Sequence, residues 1–193
     1  MARTKVFDEE EVLNKAVNLF WSKGYNGTSA QDLVDELGIS RSSLYDTYGD
    51  KFNLFKNALL QYRKNFAGSM IQMAANSTDY EKTIKEIFQY VVTDSLQEKF
   101  SKGCFMVNST IELAPHNEEI AQIVNSNMKD IEEALVNLIK KGQEAGQFSK
   151  NHPPLSLARF VFNAISGLRV ASKSGADKQV FDDIVKVTLS VLK

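Results

Sequence analysis

Residues 28 to 51 read TSAQDLVDELGISRSSLYDTYGDK, and this stretch decides the fold. Thr28 followed by Gln31 has the form of a capping box, with Thr28 as N-cap and Gln31 at N3. The apolar stripe Leu33, Val34 and Leu37 then predicts a helix of about nine residues that stops at Gly38. Ser40 is the next N-cap, so a third helix of about two turns fits before Gly49 breaks it. Asp50 caps a fourth, which runs from Lys51 past Phe52, Phe55, Leu59 and Tyr62 into the 70s. Two short helices joined at a glycine-containing turn make a helix-turn-helix, whose second helix enters the DNA major groove. Leu44 then faces the core. Arg41, Ser42, Ser43, Tyr45 and Tyr48 are left as candidates for phosphates and base edges, because hydroxyls are neutral phosphate ligands and arginine can bond a guanine twice.

Toward the N-terminus, Val12, Ala16, Leu19 and Phe20 form one buried helical stripe closed by Gly24. Charge does not advertise nucleic-acid binding: the first 56 residues carry seven basic side chains against nine acidic, and the whole chain is at −1. The acids fall mainly at 8 to 11 and 32 to 36, so the bases at 3, 5, 41 and 51 can share a face. Arg3 and Lys5 read either as an arm reaching the DNA or as a solvated tail.

The 193 residues, 43% apolar and 24% charged, suit one packed domain or two small ones. No apolar run is long enough for a membrane helix and no secretory h-region precedes the first stripe, so the chain reads as cytoplasmic with no membrane partner. One cysteine and two distant histidines make no disulfide and no metal cluster. No cofactor is expected. No Gly-rich phosphate loop or nucleophile–base set stands out, which argues against an enzyme.

Residues 57 to 193 also read as helices. Ile84, Ile87, Phe88, Val91 and Val92 form one stripe; another follows Pro115 with Ile120, Ile123, Val124, Ile131, Leu135, Leu138 and Ile139. It closes between Gly142 and Gly146, and Pro153 and Pro154 start the next helix. The expected fold is all-α with about nine helices: an N-terminal three-helix unit over 1–56 and a C-terminal helical domain over 57–193. The segment 154 to 173 places Phe160, Ala164, Gly167 and Ala171 on one face. A last helix adds Phe181, Ile184, Val185, Thr188, Val191 and Leu192. These faces serve either a dimer interface or the core of a single chain.

A resemblance sharpens these readings. Residues 7 to 59, centred on LFWSKGYNGTSAQDLVDELGISRSSLYDTYGDKFNLF, resemble the N-terminal DNA-binding domain of the TetR family of bacterial transcriptional repressors. Gly24 and Tyr25 after helix one, Thr28, Gly38 in the turn, Leu44, Tyr45 and Lys51 all match its motif. Tyr48 stands where phenylalanine is commoner, and Asn53 where an acid often completes the next helix's first turn. The stretch KGCFMVNSTIELAP, 102 to 115, is more loosely similar to one subgroup's effector domain.

The resemblance implies that Thr28, Ser29, Ser43, Tyr45 and Lys51 bind phosphates while Arg41 and Ser42 read bases. Gln31 either reaches a base or serves only as capping partner, and the Tyr45 ring also braces the motif. It further implies a homodimer, joined through the last two helices, on a palindromic double-stranded operator. An effector pocket among the middle helices would draw on Phe66, Met70, Met73, Phe88, Phe105, Met106 and Phe162, with Asn108, Glu112, Asn163 and Arg169 as polar anchors. The same stripe also suits plain core. Cys104, after Lys102 and Gly103 at a helix start, is a candidate redox or electrophile sensor or else a buried small hydrophobe. The leading function is a repressor released by a small apolar or electrophilic effector; the alternatives are thiol sensing and a helical interaction module without DNA binding.

Overall fold

A computed structural model describes residues 7–96 and 102–193, so Arg3 and Lys5 lie outside the described residues. Helix α1 spans Glu9–Lys23. Asp8 caps it by accepting the backbone N–H groups of Glu10 and Glu11, and three glutamates in the first turn suit the positive end of the helix dipole. Helix α2, Ala30–Leu37, opens one residue later than the sequence suggests. Ser29, not Thr28, is the N-cap, and Asp32, not Gln31, completes the capping box. Thr28 points inward instead, 1% exposed, with its hydroxyl donating to the Gly24 carbonyl. Gln31 bonds Asp35 one turn on.

Gly38, in the left-handed region at φ 67°, turns the chain into α3, Arg41–Tyr48, which Ser40 caps through the Ser43 N–H. Asp50 caps α4, Lys51–Ala75, which crosses residues 56 and 57 without a break. The remaining described elements are α5 (Tyr80–Leu96), α6 (Phe105–Glu112), a 3-10 turn (Ala114–His116), α7 (Glu118–Glu144), α8 (Pro154–Lys173) and α9 (Lys178–Val191). Among the described residues no helix is long and apolar enough to cross a membrane.

The buried residues form two clusters. One joins α4, α5, α7, α8 and α9. The other is the core of α1 to α4, and it extends into Cys104, Phe105 and Met106 of the α6 region and Ile120 and Val124 of α7. Phe55 stacks edge-on against both Phe20 and Phe105 (centroids 5.1 and 5.3 Å), so the helix-turn-helix unit and α6 share one aromatic core. Helix α6 thus packs on α4 through Phe105 and, by way of Phe55, on α1.

On α9 the structure corrects the sequence reading. Phe181, Thr188 and Leu192, expected on a dimer face, are buried inside the chain itself, and Thr188 returns its hydroxyl to the Ile184 carbonyl. The outward apolar face carries Val180 and Val187, with Ile184 half-buried beside them. On α8, Phe160 and Gly167 are exposed as expected, and Val170 joins them.

Candidate nucleic-acid interface and effector cavity

Leu44 anchors α3 in the core and turns Arg41 and Ser42 to the outside. The hydroxyls of Ser42 and Ser43 both lie within hydrogen-bond reach of Ser40 Oγ (3.0 and 2.9 Å), forming a cluster of small donors at the start of α3. The Arg41 guanidinium lies 5.9 Å above the half-buried Tyr45 ring. Lys51, at the start of α4, lies 4.3 Å above the Tyr25 ring. Burial lowers the Lys51 pKa, while Glu112 and Asp32 oppose that shift. The structure thus presents Arg41, Ser42, Ser43, Tyr45 and Lys51 around α3 and the start of α4.

Three expected phosphate or base contacts are placed differently. The Thr28 hydroxyl has spent its only hydrogen on Gly24, and a phosphate oxygen can only accept. Ser29 is exposed, yet its hydroxyl donates to Asp32 at 2.8 Å. Tyr48 turns its hydroxyl into the protein, where the oxygen is buried without a hydrogen-bond partner; burial raises its pKa, and Glu9 adds to the shift. As placed, the Tyr48 hydroxyl is not available to a phosphate, whereas Tyr45 is half-buried beside Arg41. The Lys23–Asp32 ion pair, at 2.6 Å, holds the Asp32 carboxyl well below the usual carboxylate range, with Ser29 assisting. That pair partly offsets the acids of α2.

Behind α6 lies a cavity of about 490 Å³, within the usual size range for small-molecule sites. Phe66, Met70, Met106, Phe162, Asn163 and Arg169 line it, as the sequence suggests. Phe88 and Phe105 do not: both are about 1% exposed and belong to solid core. Met73 packs against the core without reaching the cavity. Asn108 and Glu112 face a second cavity, about 420 Å³, on the other side of α6. Asn108 donates to the Lys102 carbonyl. Cys104, Val107, Ile111 and Arg169 border both chambers. Cys104 is buried, and its sulfur accepts a hydrogen bond from the Tyr62 hydroxyl at 3.6 Å.

Several polar residues of the larger cavity escaped the sequence reading, among them Arg63, Thr110, Asn127, Glu132, Arg159 and Ser166. Asn127 on α7 is 5% exposed, and its Oδ1 has no hydrogen-bond partner among the described residues. Thr110 lines the wall but returns its hydroxyl to Met106. Asn127 sits in an apolar stripe, where sequence offers no sign that its carbonyl oxygen is unpaired. Arg169 is 2% exposed; its Nη1 pairs with Asp94 and bonds Ser95, and its guanidinium lies 4.4 Å above the Phe66 ring.

Glu112, at the end of α6, is not an anchor in the larger cavity. Its carboxylate accepts the backbone N–H groups of Tyr25 and Asn26 just past α1. The same helix thus forms a wall of the cavity and grips the helix-turn-helix unit.

Comparison with known proteins agrees with this architecture. Residues 12–58 match the family model described as bacterial regulatory proteins, tetR family, and residues 81–187 match that of the tetracyclin repressor-like C-terminal domain. An uncharacterized HTH-type transcriptional regulator of Bacillus subtilis, YezE, is 35% identical over 193 residues and is covered in full, as is this chain. The Escherichia coli HTH-type transcriptional repressor ComR is 29% identical over 188 residues, which is 97% of this chain and 90% of ComR. Among solved structures, a cysteine mutant of the TetR-family regulator CifR in complex with a 26-bp double-strand operator DNA shares the fold, with a TM-score of 0.87 at 21% identity over 100% of both chains. The reduced form of Escherichia coli NemR gives 0.85 at 14% identity, covering 95% of this chain and 96% of that one. With both family models matched and a relative similar from end to end, the chain belongs to the TetR family of bacterial helix-turn-helix transcriptional regulators.

Proposed function

We propose that this regulator is a repressor: a cytoplasmic homodimer that holds a palindromic operator through α3 and lets go when a small, largely apolar molecule fills the cavity behind α6. Residues 1–56 serve as the DNA-binding part and residues 57–193 as the effector and dimerisation part. Arg41 and Ser42 read bases, and Ser43, Tyr45 and Lys51 hold phosphates. Gln31, exposed on α2, is a further base-contact candidate.

One observation carries the reading. Helix α6 lines the cavity with Met106, Val107 and Ile111 and ends in Glu112, whose carboxylate grips the end of α1. A ligand that pushes α6 outward pulls on the unit that carries α3. Two such units must sit one groove repeat apart to engage one palindrome, so a small tilt in each breaks the fit. The exposed apolar faces of α8 and α9, with Phe160, Val170, Val180 and Val187, support pairing of two copies. The test is a titration of the chain's own promoter region with the protein at several salt concentrations, followed by footprinting. A protected palindrome with a steep salt dependence supports the reading; affinity indifferent to sequence and salt would sink it.

A second reading has one observation in its favour: Cys104 borders both chambers, beside the helix that carries Glu112. Oxidation or alkylation of the thiol would add bulk at the start of α6. Under that reading N-ethylmaleimide releases the operator from the wild type and not from Cys104→Ser. Equal release from both assigns the cysteine to packing.

A further inference from the structure

The cavity behind α6 meets solvent where its lining residues are exposed: Thr110 and Ile111 of α6, Met128 of α7, and Arg159 and Asn163 of α8. The two sides of this mouth differ. Ile111, 72% exposed, and Met128 are apolar, and Thr110 returns its hydroxyl to the Met106 carbonyl. The α8 side is polar, with Arg159 and Asn163 one turn apart and so neighbours on the helix surface. Farther in, the buried lining is apolar, with Ala67, Met70, Met106, Val124, Ile131 and Ile165.

Four charged side chains line the chamber: Arg63, Glu132, Arg159 and Arg169. Arg169 is buried and pairs with Asp94, and Arg63 directs one Nη to Ser126 and Asp130. Arg159 is different. Its side chain is 64% exposed, and it bonds Glu132 through Nε alone, at 2.8 Å. Among the described residues neither of its Nη groups has a hydrogen-bond partner, nor has the Asn163 amide. The two Nη groups of a guanidinium form a planar edge that matches a carboxylate with two parallel hydrogen bonds. An anion held there keeps one side in water and avoids most of the desolvation that the interior would impose.

We infer that the ligand of this cavity is an amphipathic carboxylate, with its apolar body in the chamber and its head group at the mouth on the Nη edge of Arg159, where Asn163 supplies a further donor. The inference rests on the reading of the cavity as the effector site. Glu132 holds the guanidinium by its inner Nε and leaves the outer edge for the ligand. Consecutive helical residues point about 100° apart, so Phe160 and the face proposed for the second copy lie to one side of Arg159 and the mouth.

Octanoate, 1-octanol and octylammonium share one chain and differ in head group, so calorimetric titration of the full-length protein compares the heads alone. At low salt the wild type is expected to bind octanoate about fivefold more tightly than octanol, with octylammonium weakest and the octanoate advantage shrinking as salt is added. Arg159→Gln should abolish that advantage and leave octanol binding unchanged. Glu132→Gln, which frees Arg159 from its partner, should enlarge it. Both positions are partly exposed and both variants keep a polar side chain, and a thermal melt checks that they fold. Equal affinity for octanoate and octanol, or an octanoate advantage that survives Arg159→Gln, overturns the head-group assignment and leaves the cavity as an effector site. Tightest binding of octylammonium does the same. If no probe binds while the protein still shifts its operator, the effector-site reading falls together with the inference.

Discussion

The carboxylate of Glu112 accepts the backbone N–H groups of both Tyr25 (3.1 Å) and Asn26 (2.8 Å), so the end of α6 caps the loop that follows α1. Gly24 makes this approach feasible: a Cβ there would lie 2.8 Å from Glu112 Oε2, and its φ of 75° already disfavours other residues. Hydrogen bonds to a charged group contribute about 1.5 to 3 kcal/mol each when formed, less where water competes, as at the exposed Asn26. Glu112→Ala should therefore lower stability by about 1 to 3 kcal/mol and uncouple ligand binding from operator release. Urea unfolding and operator titration with and without ligand check both. A variant of unchanged midpoint that still releases DNA on ligand addition would remove Glu112 from the coupling route.

Lys51 and Arg41 should behave differently on DNA. A lysine that neutralises one phosphate contributes to all sequences alike, so Lys51→Ala should weaken operator and random DNA similarly and flatten the salt slope by about one. Arg41, exposed at the first position of α3, should contribute to discrimination, about 1 to 3 kcal/mol if it bonds a base twice. Fluorescence anisotropy on operator and scrambled duplexes distinguishes the two. A uniform loss for Arg41→Ala moves it to the phosphate-binding group.

Tyr48 gives a prediction of the opposite kind. Its hydroxyl oxygen is buried without a partner, so Tyr48→Phe removes an unsatisfied polar group while keeping the ring. Stability should hold or rise by about 1 kcal/mol, and operator affinity should not change. A thermal melt and an operator titration suffice. Loss of affinity would mean that Tyr48 swings out to the DNA on binding.

Local signals explain which features were legible in the sequence. The all-α fold, the Gly38 turn and the caps Ser40 and Asp50 rest on neighbours a few residues apart, and the structure has them where the sequence puts them. The start of α2 was ambiguous because Thr28–Gln31 and Ser29–Asp32 offer the same box in adjacent registers. The stronger acceptor, Asp32, takes it, and Thr28 turns to Gly24. Around the larger cavity, periodicity reports burial but not which side of a buried residue is hollow. Phe105 and Met106 are neighbours on α6, yet only Met106 touches the larger cavity. The role of Glu112 was illegible because its partners lie 86 and 87 residues away.

On α9 the apolar residues that the sequence offers for a dimer face do not stay together: Phe181, Thr188 and the following Leu192 turn inward, while Ile184, Val185 and Val191 are half-buried. Phe181 is 0% exposed and belongs to the core shared with α5 and α8, while Val187 is 60% exposed on the opposite face. The two positions therefore make different predictions. Phe181→Ala removes a fully buried ring, which commonly costs about 3 to 5 kcal/mol, so the chain should lose its cooperative unfolding transition or melt far earlier. Val187→Glu leaves the single chain intact but places a charge where the proposed second copy packs; a buried unpaired charge at an interface is strongly unfavourable. It should sediment as a monomer at concentrations where the wild type is a dimer, with unaltered helical content. Operator affinity should fall in step, because one chain presents one recognition helix to half of the palindrome. If Val187→Glu remains dimeric with full affinity, the outer stripe of α9 is not the interface, and the α8 face with Phe160 and Val170 must carry it alone.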